Sequence, residues 1–266
     1  MGLIVTLPPT ADWISTTQAK LHLRVDSTAD DVLIDRLIAA ARQYAQSYTR
    51  RQLVTATYRL TMDAFPSTII IPRNPLVSVS SITYLDTAGA VQTLAAATYT
   101  VDKYAEPATI YLAYAQSWPT TYGVPNAVSV YFHAGYATQF TATNATNLMT
   151  PTPMAYVDSD VVQIFTHDTV PTGWEVDKNY YVVTAGATTM QLSLTALGAP
   201  VAITTDGTPP HFVGNEVPPA ITTAMLLMMA HWYEHREAVS DFQLGGKVQF
   251  AVESLLSPYR LLEADS

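Results

Sequence analysis

Residues 28–50 read TADDVLIDRLIAAARQYAQSYTR, and this stretch sets the first long element of the fold. Its apolar residues recur at steps of three and four, which places them on one stripe of an α-helix. These residues are Ile34, Leu37, Ile38, Ala41, Tyr44, Ala45 and Tyr48. Aspartates near the start and arginines near the end suit the helix dipole. We therefore predict an amphipathic helix over 28–50, roughly 35 Å long at about 1.5 Å per residue.

Three further helices are predicted. A capping box at Ser15–Gln18 predicts a short helix over 16–23. Two consecutive prolines suit the first turn of another helix, over 220–238. That helix is apolar on nearly every face, so it lies either in a core or against a neighbouring subunit. A last helix is predicted over 250–257.

The sequence between the helices has the period of β-strands. Over 53–133, apolar and polar residues alternate between proline and glycine turns, which predicts a small antiparallel sheet with one covered face. Residues 136–215 are rich in threonine, and their first part, 137–153, is interpreted as a polar linker. Four further strands are predicted in this segment, at 161–165, 180–184, 190–194 and 201–204.

These elements predict an α+β fold in two parts. The host is a discontinuous domain, 1–135 and 216–266, in which a helical bundle accompanies the small antiparallel sheet. The second part is an inserted all-β module, 136–215, because helix signals occur on both sides of it and none within it.

Composition excludes several classes of function. The 266 residues suffice for one large domain or two modest ones, and 48% are hydrophobic, enough for a proper core. Lys plus Arg number 13 against 22 Asp plus Glu, a net charge of −9. This balance disfavours a nucleic-acid clamp but allows a surface along which DNA passes without binding. With no cysteine there is no disulfide or thiolate metal site. We expect an intracellular protein without a membrane span.

The strongest catalytic candidate is HWYEH at 231–235. His231 and His235 share a helix face at the spacing of an H-x-x-E-H zinc site, with Glu234 as the base. A third protein ligand is not evident in the sequence that follows, and the aromatic residues between suit a packed helix. A zinc hydrolase is therefore kept as a remote alternative, and we predict no catalytic, cofactor or metal site. Asp158 and Asp160 are interpreted as a solvated turn.

The carboxyl-terminal segment, 254–266, ends in leucine and tyrosine residues followed by acidic ones. Two interpretations stay open. The segment is a docking peptide for a partner protein, or it folds back on the core of its own chain.

Several stretches resemble tailed-bacteriophage head–tail connector (adaptor) proteins. The first is STTQAKLHLRVD at 15–26, and the more specific ones are VPPAI at 217–221, HWYEHRE at 231–237 and AVESLLSPYR at 251–260. In this family the H-x-x-E-H run belongs to a packed structural helix. The resemblance covers the predicted host domain. The inserted segment departs from the shorter family pattern and is weakly similar to small β modules of phage structural proteins.

The resemblance implies a non-enzymatic virion protein, assembled in the bacterial host cytoplasm and located at the head–tail interface. Such adaptors form a ring, typically a dodecamer, beneath the portal of a filled head. They join the portal to the next neck component, a stopper or tail protein. Genomic DNA passes through the lumen without specific binding, and no cofactor is implied. A tail or decoration protein that acts through the module 136–215 is the alternative.

Two sets of interface residues follow as hypotheses. The predicted portal contacts are Leu255, Tyr259, Arg260, Leu261 and Leu262. Apolar surfaces of the two long helices are predicted to pack between subunits, because a closed ring needs two different adhesive faces on each copy. Their residues are Leu37, Tyr44, Tyr48, Met225, Met228 and Trp232.

Overall fold

A computed structural model describes residues 1–176, 178–235 and 250–261. The chain forms two compact units, each made of two sequence segments. The strand unit comprises Met1–Thr10 and Val54–Asn215, and the helical unit comprises Ala11–Leu53 and Glu216–Ser266. Helices and antiparallel sheets are both present, so the predicted α+β class is confirmed.

The helical unit contains α1 (Thr16–Leu23), α2 (Asp31–Thr49) and α3 (Pro219–Glu234). The capping box predicted before α1 is present. The Gln18 amide lies 3.1 Å from Ser15 Oγ, and the Ser15 amide lies 3.0 Å from Gln18 Oε1. Residues 250–256 are also helical and continue into a 3₁₀ turn at Ser257–Tyr259. Residues 236–238, the end of the predicted third helix, lie outside the described residues.

Helix α2 is three residues shorter at its start than predicted. The amide of Ala29 donates to Ser27 Oγ at 3.1 Å, so the chain forms a side-chain-stabilised turn before the helix begins. At the other end Arg50 adopts a left-handed conformation, with φ 59°, which terminates the helix. The predicted apolar stripe faces the core, with its buried members at Ile34, Ile38, Ala41 and Ala45.

Helix α3 is apolar on nearly every face because it is packed inside the helical unit. It contacts both α1 and α2. A hydrogen bond connects α3 to the segment before α1: Trp13 Nε1 donates to Thr222 Oγ1 at 3.2 Å. The buried side chains of α3 are Ile221, Ala224, Met225, Met228 and Met229.

The strand unit begins with two antiparallel sheets. The five-stranded sheet has the order β1-β2-β8-β4-β5, and the three-stranded sheet has the order β3-β7-β6. Both contribute to one apolar cluster that includes Leu60, Ile82, Ile110 and Val130. The strands are β1 (Gly2–Leu7), β2 (Ala56–Met62), β3 (Ile69–Ile70), β4 (Leu76–Leu85), β5 (Val91–Thr93), β6 (Tyr99–Asp102), β7 (Thr109–Leu112) and β8 (Val128–Ala134).

The remaining strands form a six-stranded antiparallel sheet of order β10-β9-β14-β11-β12-β13. Its two ends meet where the backbones of Met149 and Met190 exchange two hydrogen bonds of 2.9 Å. The sheet thereby closes around a second core, which contains Phe140, Trp174 and Leu192. The strands are β9 (Ala137–Thr143), β10 (Leu148–Thr152), β11 (Val161–Thr166), β12 (Tyr180–Val183), β13 (Gln191–Ser193) and β14 (His211–Gly214).

Two details predicted for this segment are wrong. Residues 137–153 are not a linker but the hairpin of β9 and β10, whose Phe140 and Met149 are buried. The abundant threonine that suggested a linker is β-branched and suits strands. Residues 201–204 are not a strand. Their amides reach separate acceptors, including Leu192 O and Asn147 Oδ1, instead of one ladder.

The five-stranded sheet and the closed sheet belong to the same compact unit, so the predicted boundary at 135/136 lies inside it. The division into a host domain and an insert stays a prediction. Gly135 joins β8 to β9 at that boundary with φ 155°, a conformation that favours glycine. A Cβ atom there would collide with the backbone of Thr55.

Candidate interaction surfaces

The carboxyl-terminal segment is attached to the end of α2. Arg51 Nε donates to the Tyr259 carbonyl at 2.7 Å, and the Leu261 amide donates to the Thr49 carbonyl at 3.0 Å. Leu256 is fully buried, and Leu261 is 6% exposed. The sequence left two interpretations open, a docking peptide or a segment that folds back on its own chain. Residues 250–261 fold back on their own chain.

The hypothetical portal contacts therefore fall into different environments. Leu261 is buried in the helical unit, whereas Leu255 and Tyr259 are half-buried. Arg260 is exposed, and its guanidinium lies 5.5 Å from the ring centroid of Tyr48. Leu262 lies outside the described residues. The atoms that remain available to a partner belong to Leu255, Tyr259 and Arg260.

The proposed inter-subunit residues also divide into two groups. Met225 and Met228 belong to the core of the helical unit, where their packing is already satisfied. The others stay partly accessible: Tyr44 is exposed, and Leu37, Tyr48 and Trp232 are half-buried.

Tyr44 and Tyr48 form an aromatic patch one helical turn apart on α2. Their rings stack with centroids 6.2 Å apart. Partial burial of the phenol, reinforced by the negative charge of Glu253, raises the pKa of Tyr44, so its hydroxyl stays protonated at neutral pH. A neutral phenol on an apolar ring suits a protein interface, where tyrosine is enriched.

The H-x-x-E-H residues lie at the end of α3. The rings of His231 and His235 are 4.7 Å apart, and His235 Nδ1 lies 3.1 Å from the His231 carbonyl oxygen. Tyr233, between them, donates from its hydroxyl to Asp30 Oδ2 at 2.6 Å. Among the described residues, no group of three or more potential metal ligands converges on this pair. Tyr233 thus attaches the end of α3 to Asp30, and the structural role of the run that the resemblance implies stays a prediction.

The acidic pair in the closed sheet shapes a turn, as its sequence interpretation predicted. Asp158 Oδ1 accepts from the Ala185 amide at 2.7 Å, and Asp160 Oδ2 accepts from the Val157 amide at 3.0 Å. Asp160 also lies 3.5 Å from Lys103 Nζ. Both carboxylates thus have structural partners.

Some exposed apolar residues were not singled out in the sequence. Tyr114 is 99% exposed and Tyr104 is 86% exposed, both in loops beside the three-stranded sheet. Such loop residues follow no periodic pattern in the sequence, so only their exposed fraction in the structure identifies them as surface residues. In the parts of the chain that the structure describes, no helix has the length and apolar content of a membrane span.

Comparison with known proteins agrees with the resemblance drawn from the sequence. Residues 14–104 match the model of the phage gp6-like head–tail connector proteins. That span covers α1, α2 and the strands β2 to β6, so it takes in parts of both units. Over this span the chain is similar to the phage head–tail connector family. None of the curated proteins matches the sequence.

Solved structures similar in fold come from gene transfer agent (GTA) particles. A chain of a native GTA virion has a TM-score of 0.57 at 16% identity. A chain of the neck of an empty GTA particle, computed with C6 symmetry, has a TM-score of 0.56 at 16% identity. A chain of the native GTA neck, computed with C12 symmetry, has a TM-score of 0.54 at 15% identity. Each likeness covers 100% of this chain and 98% of the other. At these identities the likeness is one of fold, and it includes the closed six-stranded sheet.

Proposed function

We propose that this protein is a head–tail adaptor of a virion neck, copies of which form a ring beneath the portal. The ring joins the DNA-filled head to the next neck or tail component, a stopper in the simplest arrangement. One observation carries the proposal: the likeness to chains of neck and virion particles extends over the whole of this chain, not only over the connector match. The C12 symmetry of one such neck is compatible with a dodecamer.

Ring closure requires two different surfaces on each copy, because a cyclic assembly repeats a heterologous contact. The accessible rings of Tyr44 and Tyr48 on α2, with Trp232 on α3, are proposed for one of them. Met225 and Met228 have a supporting role, since they hold α3 in the core of the helical unit.

Portal docking is assigned to the carboxyl-terminal segment, through the side chains that its own packing leaves accessible. Leu255, Tyr259 and Arg260 present an apolar, aromatic and cationic surface. Each contact is modest, but a ring repeats it in every copy, and multivalency slows dissociation of the whole far more than that of one contact.

Attachment to the portal can be tested without unfolding the protein. Removal of 254–266 would take away the buried Leu256 and Leu261, so loss of binding would be ambiguous. Arg260→Glu leaves the core intact and costs only a weak cation–π contact of about 1 kcal/mol or less. Arg36→Glu, at an exposed position of α2, is the matched charge reversal.

The measurement is co-sedimentation of each variant with purified portal rings and with DNA-filled heads. We expect wild type and Arg36→Glu to attach and Arg260→Glu to attach at least about tenfold more weakly, the effect of one lost charged contact. Attachment of Arg260→Glu at the wild-type level would refute the assignment of the segment. Failure of the wild type to bind either portal or heads would refute the adaptor function.

The acidic composition suits a channel through which the genome slides. Affinity for phosphates grows with the number of cations supplied, and this chain has 13 bases against 22 acids. The ring is therefore proposed to let DNA pass without specific binding. Filter binding of duplex DNA at physiological salt is expected to give no measurable complex.

A tail or decoration protein acting through residues 136–215 is the second candidate. The full-length likeness favours the adaptor, because it makes the closed sheet part of a shared neck fold. A substitution of Leu197, which lies in this segment and is 79% exposed, distinguishes the two candidate functions. Leu197→Asp should leave ring formation and head attachment unchanged if the protein is an adaptor. Loss of attachment would favour the module-centred function.

A further inference from the structure

The five-stranded sheet has a second face, opposite its apolar core. Residues directly opposite each other in the ladder share a face, so the register of β2 with β8 defines its centre. Thr57, Arg59 and Thr61 of β2 lie there beside His133, Tyr131 and Ser129 of β8. The register of the neighbouring strands adds serine and threonine from β4 and mostly apolar residues from the two edges.

The face is accessible around Arg59, whereas Thr61 and His133 are buried, and the register places no carboxylate on it. Arg59 and Tyr131 are half-buried, and Ile4, which pairs with Arg59 from the edge strand β1, is 45% exposed. Among the residues that the register places on this face, Arg59 is the only lysine or arginine and none is acidic. Such a face contrasts with a chain whose net charge is −9.

The Arg59 guanidinium has a buried donor for which the described residues provide no hydrogen-bond acceptor. Its Nε is buried and forms no hydrogen bond within 1–176, 178–235 and 250–261, and no ion pair of its guanidinium occurs there. A buried donor without an acceptor is destabilising, and native structures nearly always supply one. The described residues supply no acceptor for this Nε donor, and a carboxylate from a partner molecule would satisfy it.

We propose that this face is an interface between copies of the chain, in which Arg59 receives a carboxylate of the neighbouring copy. The inference rests on the proposed ring. A second copy is the favoured occupant because it brings 22 acidic residues, and arginine pairs with carboxylate through two parallel hydrogen bonds. Arg59 lies between Tyr131 and Ile4, and arginine beside an aromatic residue is typical of interface hot spots.

Nucleic acid is a poorer occupant of the same face. A duplex is bound through several phosphates, each neutralised by a lysine or arginine. Only one such residue is present on this face, with His133 as the other nitrogen base. Burial lowers the pKa of His133, so it stays neutral near pH 7 and adds no positive charge.

The test compares self-association of the full-length wild type, Arg59→Met, Arg59→Lys and the control Arg36→Met. Methionine keeps much of the apolar stem but removes the unsatisfied donor, so the folded monomer should not lose thermal stability. Mass photometry and sedimentation, alone and with portal rings, report the assembly. Circular dichroism melting reports the fold.

We expect Arg59→Met to associate about ten- to a hundredfold more weakly at an unchanged melting temperature, the range for loss of hydrogen bonds to a charged group. Arg59→Lys should be intermediate because it keeps the charge without the planar fork. Arg36→Met should match the wild type.

Two results overturn the inference alone: rings of Arg59→Met that form like those of the wild type, or normal rings with a loss of binding to DNA or to another neck protein. A wild type that forms no ring, alone or on the portal, overturns the proposed function and with it this interface.

Discussion

Replacing Leu256 by alanine should destabilise the helical unit by about 3 kcal/mol, whereas the same change at its neighbour Leu255 should cost about 1 kcal/mol. Leu256 is fully buried, and truncation of buried leucine costs about 2–5 kcal/mol through lost transfer energy and the cavity left behind. Leu255 is half-buried and loses only part of that transfer term. The two variants are matched in chemistry and differ in burial alone.

Urea unfolding followed by far-ultraviolet circular dichroism reports this difference, because α1, α2 and α3 all belong to the helical unit. The slope of the transition should stay that of the wild type, so that a shifted midpoint reflects stability. Portal attachment should show the reverse order, with Leu255→Ala the more impaired of the folded proteins. Equal destabilisation by the two variants, or less than about 1 kcal/mol for Leu256→Ala, would refute the packing of the segment against its own unit.

Three further predictions concern the strand unit. Tyr156→Phe should lower its unfolding free energy by about 1–3 kcal/mol in a denaturant titration, because the buried hydroxyl that lies 2.8 Å from the Val213 carbonyl oxygen and 2.9 Å from Thr138 Oγ1 would be removed with both contacts. Gly135→Ala should also destabilise it, by more than about 1 kcal/mol, since φ and the Thr55 backbone oppose a Cβ; an unchanged midpoint would contradict this. Burial lowers the pKa of His211, as it does that of His133. As the pH falls, these histidines therefore bind protons in the unfolded chain at a higher pH than in the folded chain. Stability should hold above about pH 6.5 and fall as pH is lowered towards the folded-state pKa values; thermal melts across that range that do not shift would contradict this.

Local patterns in the sequence were sufficient to identify the helices. The capping box at Ser15 and the three- and four-residue steps of 28–50 depend on neighbours within one or two turns, and both are present in the structure. The strands between residues 53 and 133 follow the same rule, because alternation is a local property, whereas the edge strand β1 (Gly2–Leu7) was not predicted. The H-x-x-E-H run lies at the end of α3, within the range predicted for that helix, and its purely structural role stays a prediction.

What the sequence did not reveal depends on partners distant along the chain. The hairpin over 137–153 appeared polar because its burial comes from closure of the sheet, where Met149 meets Met190. The neighbours of Arg59 on the sheet face are known only from the register of three strands, β1, β2 and β8. No pattern along the sequence shows that none of these neighbours is acidic. The placement of the carboxyl-terminal segment required the same information, since its hydrogen-bond partners, Thr49 and Arg51, lie about 210 residues away at the end of α2.

The way in which that segment is held constrains how it can bind a portal. If Leu261 were the portal contact, binding would first have to break its hydrogen bond to Thr49 and expose a buried leucine, a cost of about 2–3 kcal/mol in every copy. In a dodecamer that cost recurs at each position, so it opposes the avidity that makes a ring effective. Contacts through Leu255 and Arg260 carry no such cost because both side chains already reach the surface. The buried leucines therefore serve best as the fixed base of the segment, and we assign the proposed portal contact to the side chains that its packing leaves accessible.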